Sequence, residues 1–303
     1  MSLTRRIFVS LPSDESLADR PEQNAVKWGI VEKIAKLGYV PEIFRDSREG
    51  TVGEVAATGW SADNFDDVIR RCVGCVIIGL PRWHFSDGSK QIQLASEFCH
   101  YEGAIASSLK LPLLVIRQEG ILRRVFFDQS YTGHAAVLPA SADRSWLKTA
   151  AFRRPFAHWQ KELGKRCDVF FGYCGSSVET AQALKQYLVK ELGVTVVDWK
   201  TDFTPARTIF SEIRTAADRC SAGVFLFTRD DRFAKRSISA PRDNVVFEAG
   251  YFSSAKGKER VLIIREKGAK MPSDLGGDIY LPLADPSDIA LLRDMVGRFI
   301  DAL

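Results

Sequence analysis

The chain has 303 residues, enough for about two domains, and its 46% hydrophobic and 11% aromatic content can fill packed cores, which excludes a disordered or fibrous chain. Forty-two Lys and Arg against 38 Asp and Glu leave a formal charge of +4 with no polybasic run. Dedicated binding to nucleic acid or to an anionic membrane is therefore not expected. The opening MSLTRRIFVS lacks the apolar core of a signal peptide, and no window is apolar over the roughly 18 residues of a membrane span, so the chain reads as soluble and cytoplasmic. Six scattered cysteines read as small buried hydrophobes. The one suggestive spacing, Cys72-x-x-Cys75, lies inside the strand-like CVGCVIIGL and has no second pair, which disfavours zinc or redox chemistry.

In chain order, the first half carries strand patterns at 6–11, 39–44, 75–80 and 111–116. A helix from Asn24 to Leu37, with Trp28, Val31, Ile34 and Leu37 at helical spacing, stops at Gly38. Residues 144–166, with Trp146, Phe152, Phe156 and Trp159 among basic and polar neighbours, read as a helical connector. The second half carries strands at 168–173, 194–199, 222–228 and 260–266, with a helix from Ala181 to Leu192 closed by Gly193. Strands alternating with helices predict α/β units with parallel sheets. Both halves follow one plan, including a glutamate helix before the fourth strand: Glu102 in CHYEGAIA and Glu248 in VVFEAGYF. The expectation is two flavodoxin-like parallel-sheet domains in tandem, 1–143 and 167–303, joined by 144–166.

In such sheets ligands bind beyond the carboxyl ends of the strands. In the second half that edge starts with Gly172-Tyr173-Cys174-Gly175-Ser176-Ser177, followed by Glu179. It is either a small-residue loop for phosphate at a helix start or a helix cap and nothing more. Trp199 and Phe203 follow the second strand and either sandwich a flat heterocycle or cover the sheet edge. After Thr228-Arg229-Asp230-Asp231 comes PRDNVVFEAGYF, in which Val245, Val246, Phe247, Tyr251 and Phe252 surround Glu248. A carboxylate among so many apolar neighbours is costly without a task or a partner, a pairing with Arg242 being the structural alternative.

The blocks FGYCGSSVE, DWKTDF, LFTRDD with PRDNVVFEAGYF, and PSDLGG together resemble the bacterial TIR-like nucleotide-binding domain of TIR–STING anti-phage effectors, over about 167–290. The resemblance implies a TIR-like fold and an NAD⁺ glycohydrolase that cuts the nicotinamide–ribose bond. It makes Glu248 catalytic, with Gly172, Tyr173, Ser176, Ser177, Trp199, Phe203, Asp230, Arg242 and Asn244 lining the pocket. It further implies a cyclic nucleotide activator and a homo-oligomer. One departure stands out: many TIR enzymes have tryptophan four residues before the glutamate, where this chain has Asn244. Nicotinamide in NAD⁺ is already a cationic leaving group, so one carboxylate suffices to stabilise the oxocarbenium-like ribose or to attack it. No cofactor or metal is expected, and His84, His100, His134 and His158 show no ligand spacing. A non-catalytic nucleotide receptor and a nucleoside deoxyribosyltransferase are the alternatives.

Residues 1–143 resemble, more loosely, a TIR or nucleoside 2-deoxyribosyltransferase-like domain, with Glu102 as the counterpart glutamate. The domain is expected to sense a nucleotide, a second glycosidase or a purely dimerising role being the alternatives. Its ligand candidates are Ser10, Ser13, Asp14, Trp83, His84 and Glu102.

Overall fold

Strand Cys72–Gly79 is buried at every residue, as a central strand covered on both faces must be, and Cys220–Phe227 repeats this in the second half with one partly buried position. A computed structural model describes residues 3–13, 15–44, 60–128, 135–204, 206–232, 239–275 and 280–303. The chain forms two units, Arg5–Lys165 and Arg166–Leu303; Leu3 packs with the second.

The N-terminal unit holds β1 (Arg6–Ser10), β2 (Val40–Glu42), β3 (Cys72–Gly79), β4 (Trp83–Asp87), β5 (Lys90–Leu94), β6 (Leu113–Gln118) and β7 (Ala135–Leu138). Its sheet is parallel in the order β2-β1-β3-β6-β7, while β4 and β5 form a separate antiparallel hairpin. The C-terminal unit holds β8 (Cys167–Tyr173), β9 (Val196–Asp198), β10 (Cys220–Phe227), β11 (Asp231–Arg232), β12 (Ser239–Ala240), β13 (Val261–Glu266) and β14 (Tyr280–Leu283). Its parallel sheet runs β9-β8-β10-β13-β14, and β11 pairs antiparallel with β12. Both sheets thus have the flavodoxin-like strand order 2-1-3-4-5. Each is an α/β unit of the expected class.

The period-2 alternation of the strands splits each core in two. In the first unit Ile7, Val9, Val76 and Ile78 pack with helix Pro21–Lys36, while Phe8, Cys75, Ile77 and Val115 pack with helices Ala62–Arg70 and Glu97–Ser108. In the second, Val169, Phe171, Val224 and Leu226 pack with helices Val178–Gln186 and Arg293–Asp301. Phe170, Phe225, Phe227 and Ile263 pack with helices Ile209–Arg219 and Asp243–Lys256. Glu102 and Glu248 therefore ride on helices applied to corresponding faces of the two sheets.

The segment read as a connector is part of the first unit: Trp146, Leu147, Phe152, Trp159 and Leu163 are buried in its core, and the Trp159 indole donates to the Pro112 carbonyl at 3.1 Å. Its aromatics needed an apolar face to cover, and one side of the parallel sheet offered it. Among the described residues no helix is long and apolar enough to cross a membrane.

Candidate functional site

Helix Asp243–Lys256 begins just after Pro241, whose missing N–H and fixed φ suit a helix entry. Val245, Ala249 and Phe252 recur at the helical period and bury one stripe against β8 and β10. Glu248 lies on that stripe and is 6% exposed. Its Oε2 accepts no hydrogen bond among the described residues. It lies over Gly172 of β8, where a Cβ would stand 2.7 Å from Oε2 and 2.6 Å from Cδ1 of Phe225. Only glycine leaves that space open. Burial pushes the Glu248 carboxyl up from 4.5 to about 7, with no charge or donor offsetting it.

Beyond Gly172 the chain turns through Gly175–Ser177 into helix Val178–Gln186. Ser177 makes no side-chain cap to that helix; its hydroxyl pairs with Thr228 at 2.5 Å. Thr228 reaches both carboxylate oxygens of Asp230 at 3.0 Å, Ser176 donates to the same carboxylate, and the Arg242 N–H adds a fourth bond at 3.2 Å. The Arg242 guanidinium pairs with Asp231 at 3.1 Å. One carboxylate thus ties the ends of β8 and β10 to the start of the Glu248 helix. The hydroxyls border a cavity of about 540 Å³ lined by Ser176, Ser177, Thr228, Asp230 and Glu266 among others.

The remaining expected residues divide. Asn244 is exposed, one turn ahead of Glu248 on its helix. The Tyr173 hydroxyl donates to Asp198 at 3.0 Å, and Lys185 pairs with the same carboxylate at 2.7 Å. Burial next to that acid raises the phenol well above its ordinary value. Trp199 donates to the Tyr173 carbonyl at 3.0 Å and leans on its ring, whereas Phe203 stacks on Phe170 at 6.0 Å. These contacts are those of rings covering the sheet edge. Thr228 and Glu266, which accepts the Arg229 N–H at 2.8 Å, belong to the strand-end surroundings without having been singled out. Their place at the carboxyl ends of β10 and β13 was the available signal. Among the described residues no group of three or more His, Cys, Asp or Glu is arranged to hold a metal ion.

The N-terminal unit repeats the motif with different fittings. Glu102, 5% exposed, accepts the Trp60 indole N–H at 3.0 Å. Burial raises its carboxyl to about 7 against the opposing pull of the Trp60 N–H, while the Ser10 hydroxyl is directed to the Cys99 sulfur at 3.7 Å. A cavity of about 460 Å³ brings together Ser10, Ser13 and Glu102 with Trp60, Arg82 and Phe98. Asp14 lies outside the described residues. Trp83 and His84 stand on the exposed strand β4, where Trp83 donates to Glu97 at 3.2 Å, and neither lines the cavity.

Residues 168–285 match the family model described as "CAP12/Pycsar effector protein, TIR domain". This segment is similar to the TIR domain of CAP12/Pycsar effectors. The chain is 30% identical over 115 residues to CD-NTase-associated protein 12 of Niabella drilacis, covering 36% of this chain and 37% of that protein. It is 29% identical over 134 residues to the Pycsar effector protein BcPycTIR of Burkholderia cepacia, covering 43% of each. The chain thus spans less than half the length of the curated relatives it matches. Among solved structures, the TIR domain of the Toll-related receptor TRR-2 from Hydra magnipapillata is similar at 14% identity and a TM-score of 0.35, over 44% of this chain and 98% of that one. Glu248, Gly172 and the Asp230 network all fall inside the TIR domain, and Glu102 falls outside it.

Proposed function

We propose that the TIR domain is an NAD⁺ glycohydrolase in which Glu248 is the reacting carboxylate. One observation supports this reading above the rest: a buried carboxyl without a hydrogen-bond partner at Oε2, held over a glycine at the carboxyl end of the first strand of the sheet. A structural carboxylate in such a place would be paired; this one is desolvated and free to act. The C1′–N bond of the nicotinamide riboside breaks, and nicotinamide leaves with the bonding pair as a neutral molecule. Positive charge develops on C1′ and its ring oxygen, where a carboxylate shielded from water stabilises it most strongly. Water then adds at C1′ and releases a proton, giving ADP-ribose. Gly172, Ser176, Ser177, Arg242 and Asn244 would surround the substrate, with Asp230 holding the loops in place.

The relatives are named CD-NTase-associated protein and Pycsar effector. Carried over, the chain acts in bacterial anti-phage defence within the cytoplasm, as a homo-oligomer switched on by a nucleotide signal. The test is incubation of the full chain at high concentration with NAD⁺, with and without cyclic di- and trinucleotides, following nicotinamide by chromatography. Nicotinamide release that Glu248→Gln abolishes while NAD⁺ still binds supports the reading. Binding of NAD⁺ without release under any condition leaves a receptor, and transfer of ADP-ribose or ribose to added free bases in place of water leaves a transferase.

A further inference from the structure

The two sheets can be aligned by register. Ser10 pairs with Ile77 across β1 and β3 just as Gly172 pairs with Phe225 across β8 and β10, and each follows a run whose residues alternate between the two cores in the same order, Ile7, Phe8 and Val9 in one strand and Val169, Phe170 and Phe171 in the other. Ser10 and Gly172 thus occupy the same site, beneath the buried glutamate of their own unit. In the TIR domain that site is empty of side chain and the Glu248 Oε2 is left alone. In the N-terminal unit it carries a hydroxyl, which is directed to the Cys99 sulfur at 3.7 Å, and a tryptophan 42 residues away donates to the acid at 3.0 Å. A carboxylate oriented by the Trp60 N–H in this way is a fixed acceptor, poorly placed to meet charge developing on a substrate.

The surrounding cavity matches one chemical class. Trp60 and Phe98 meet edge to face at 4.6 Å and form an aromatic wall for a flat ring. The Arg82 guanidinium lies 6.0 Å from the Phe98 centroid, tethered to Ser96 at 3.1 Å, and Ser13 stands in the loop after β1. Ring, donor-bearing sugar and anion thus each find a complement within a cavity of about 460 Å³, inside the range of small-ligand sites. From this we infer that the N-terminal cavity binds a nucleoside 5′-phosphate without cleaving it, the base against Trp60 and Phe98, the ribose hydroxyls on Glu102 and the phosphate at Arg82 and Ser13. The inference stands apart from the cleavage reading of the TIR domain.

The test is calorimetric titration of the full chain with AMP, GMP, CMP and UMP, their 2′-deoxy forms and the free nucleosides, in wild type and in Glu248→Gln. At least one monophosphate is expected to bind saturably and equally in both, with no free base released. Loss of the 2′-hydroxyl should weaken binding about tenfold in the wild type, the value of one hydrogen bond to a charged group, and little in Glu102→Gln. The exposed Arg82→Ala should erase the preference for monophosphate over nucleoside while sparing nucleoside affinity, which keeps the test open if the Glu102 variant does not fold. Absence of saturable binding, binding lost in Glu248→Gln, unchanged ribose and phosphate preferences in both variants, or base release that Glu102→Gln abolishes would each overturn the inference.

Discussion

Glu248 has given up its water without gaining a donor at Oε2, and its position over Gly172 fixes what substitution there must do. Gly172→Ala would set a methyl 2.7 Å from that oxygen and against Phe225, so the helix or the carboxylate must shift. Overpacking of this kind costs about 1–3 kcal/mol. We expect Gly172→Ala to lower the melting temperature and to remove most nicotinamide release, and a fully active variant would contradict the placement of the carboxylate. The raised pKa has its own signature. Because the folded value is about 7 against 4.5, the folded chain holds a proton that the unfolded chain releases between those pH values. The associated stability is present below 4.5 and is lost as pH rises through about 7, with an upper bound of about 3–4 kcal/mol at 1.36 kcal/mol per pH unit. Glu248→Gln should therefore melt higher than wild type at pH 8 and no higher at pH 4, as scanning calorimetry would reveal.

At the scale of elements, the strand-end network turns on Asp230, which accepts from Ser176, Thr228 and the Arg242 N–H. Asp230→Ala should loosen the loop of residues 174–177 and weaken NAD⁺ binding while leaving secondary structure intact, measurable as a rise in KM alongside an unchanged circular-dichroism spectrum. Retention of wild-type KM would show that the loop is held by other means. Most of this level was legible in the sequence. The inner strands are β-branched, aromatic runs whose alternation feeds two cores, and the Glu248 helix announces itself by Pro241 and its buried stripe. The edge strands Ala135–Leu138 and Tyr280–Leu283 escaped because AAVL and YLPL are short and one contains proline, and edge strands tolerate both. The hairpin Trp83–Leu94 escaped because it has no buried face to impose alternation, although Asp87-Gly88 was an available turn signal, with Gly88 at φ 59°. The same exposure keeps Trp83 and His84 out of the cavity. Trp60 could not be found from spacing, since its link to Glu102 is made only by the fold.

Across the whole molecule, one strand order is used twice and one glutamate position is used in two ways, free at Oε2 over glycine in the C-terminal unit and held by the Trp60 N–H in the N-terminal unit. Sequence showed the repeated plan but not this contrast, which depends on which residue lies across the sheet from each acid. On the proposed reading of a nucleotide-activated homo-oligomer, specific activity should climb steeply with protein concentration or on addition of a cyclic nucleotide. A flat specific activity across a wide dilution series would contradict assembly-dependent action. The central claim remains that the buried Glu248 carboxylate, in its ionised form, breaks the nicotinamide–ribose bond. It is tested most directly by nicotinamide release from NAD⁺ at pH 6 and pH 8, wild type beside Glu248→Gln. The account predicts release by the wild type that is greater at pH 8 and none from the variant at either pH; comparable release by the variant would contradict it.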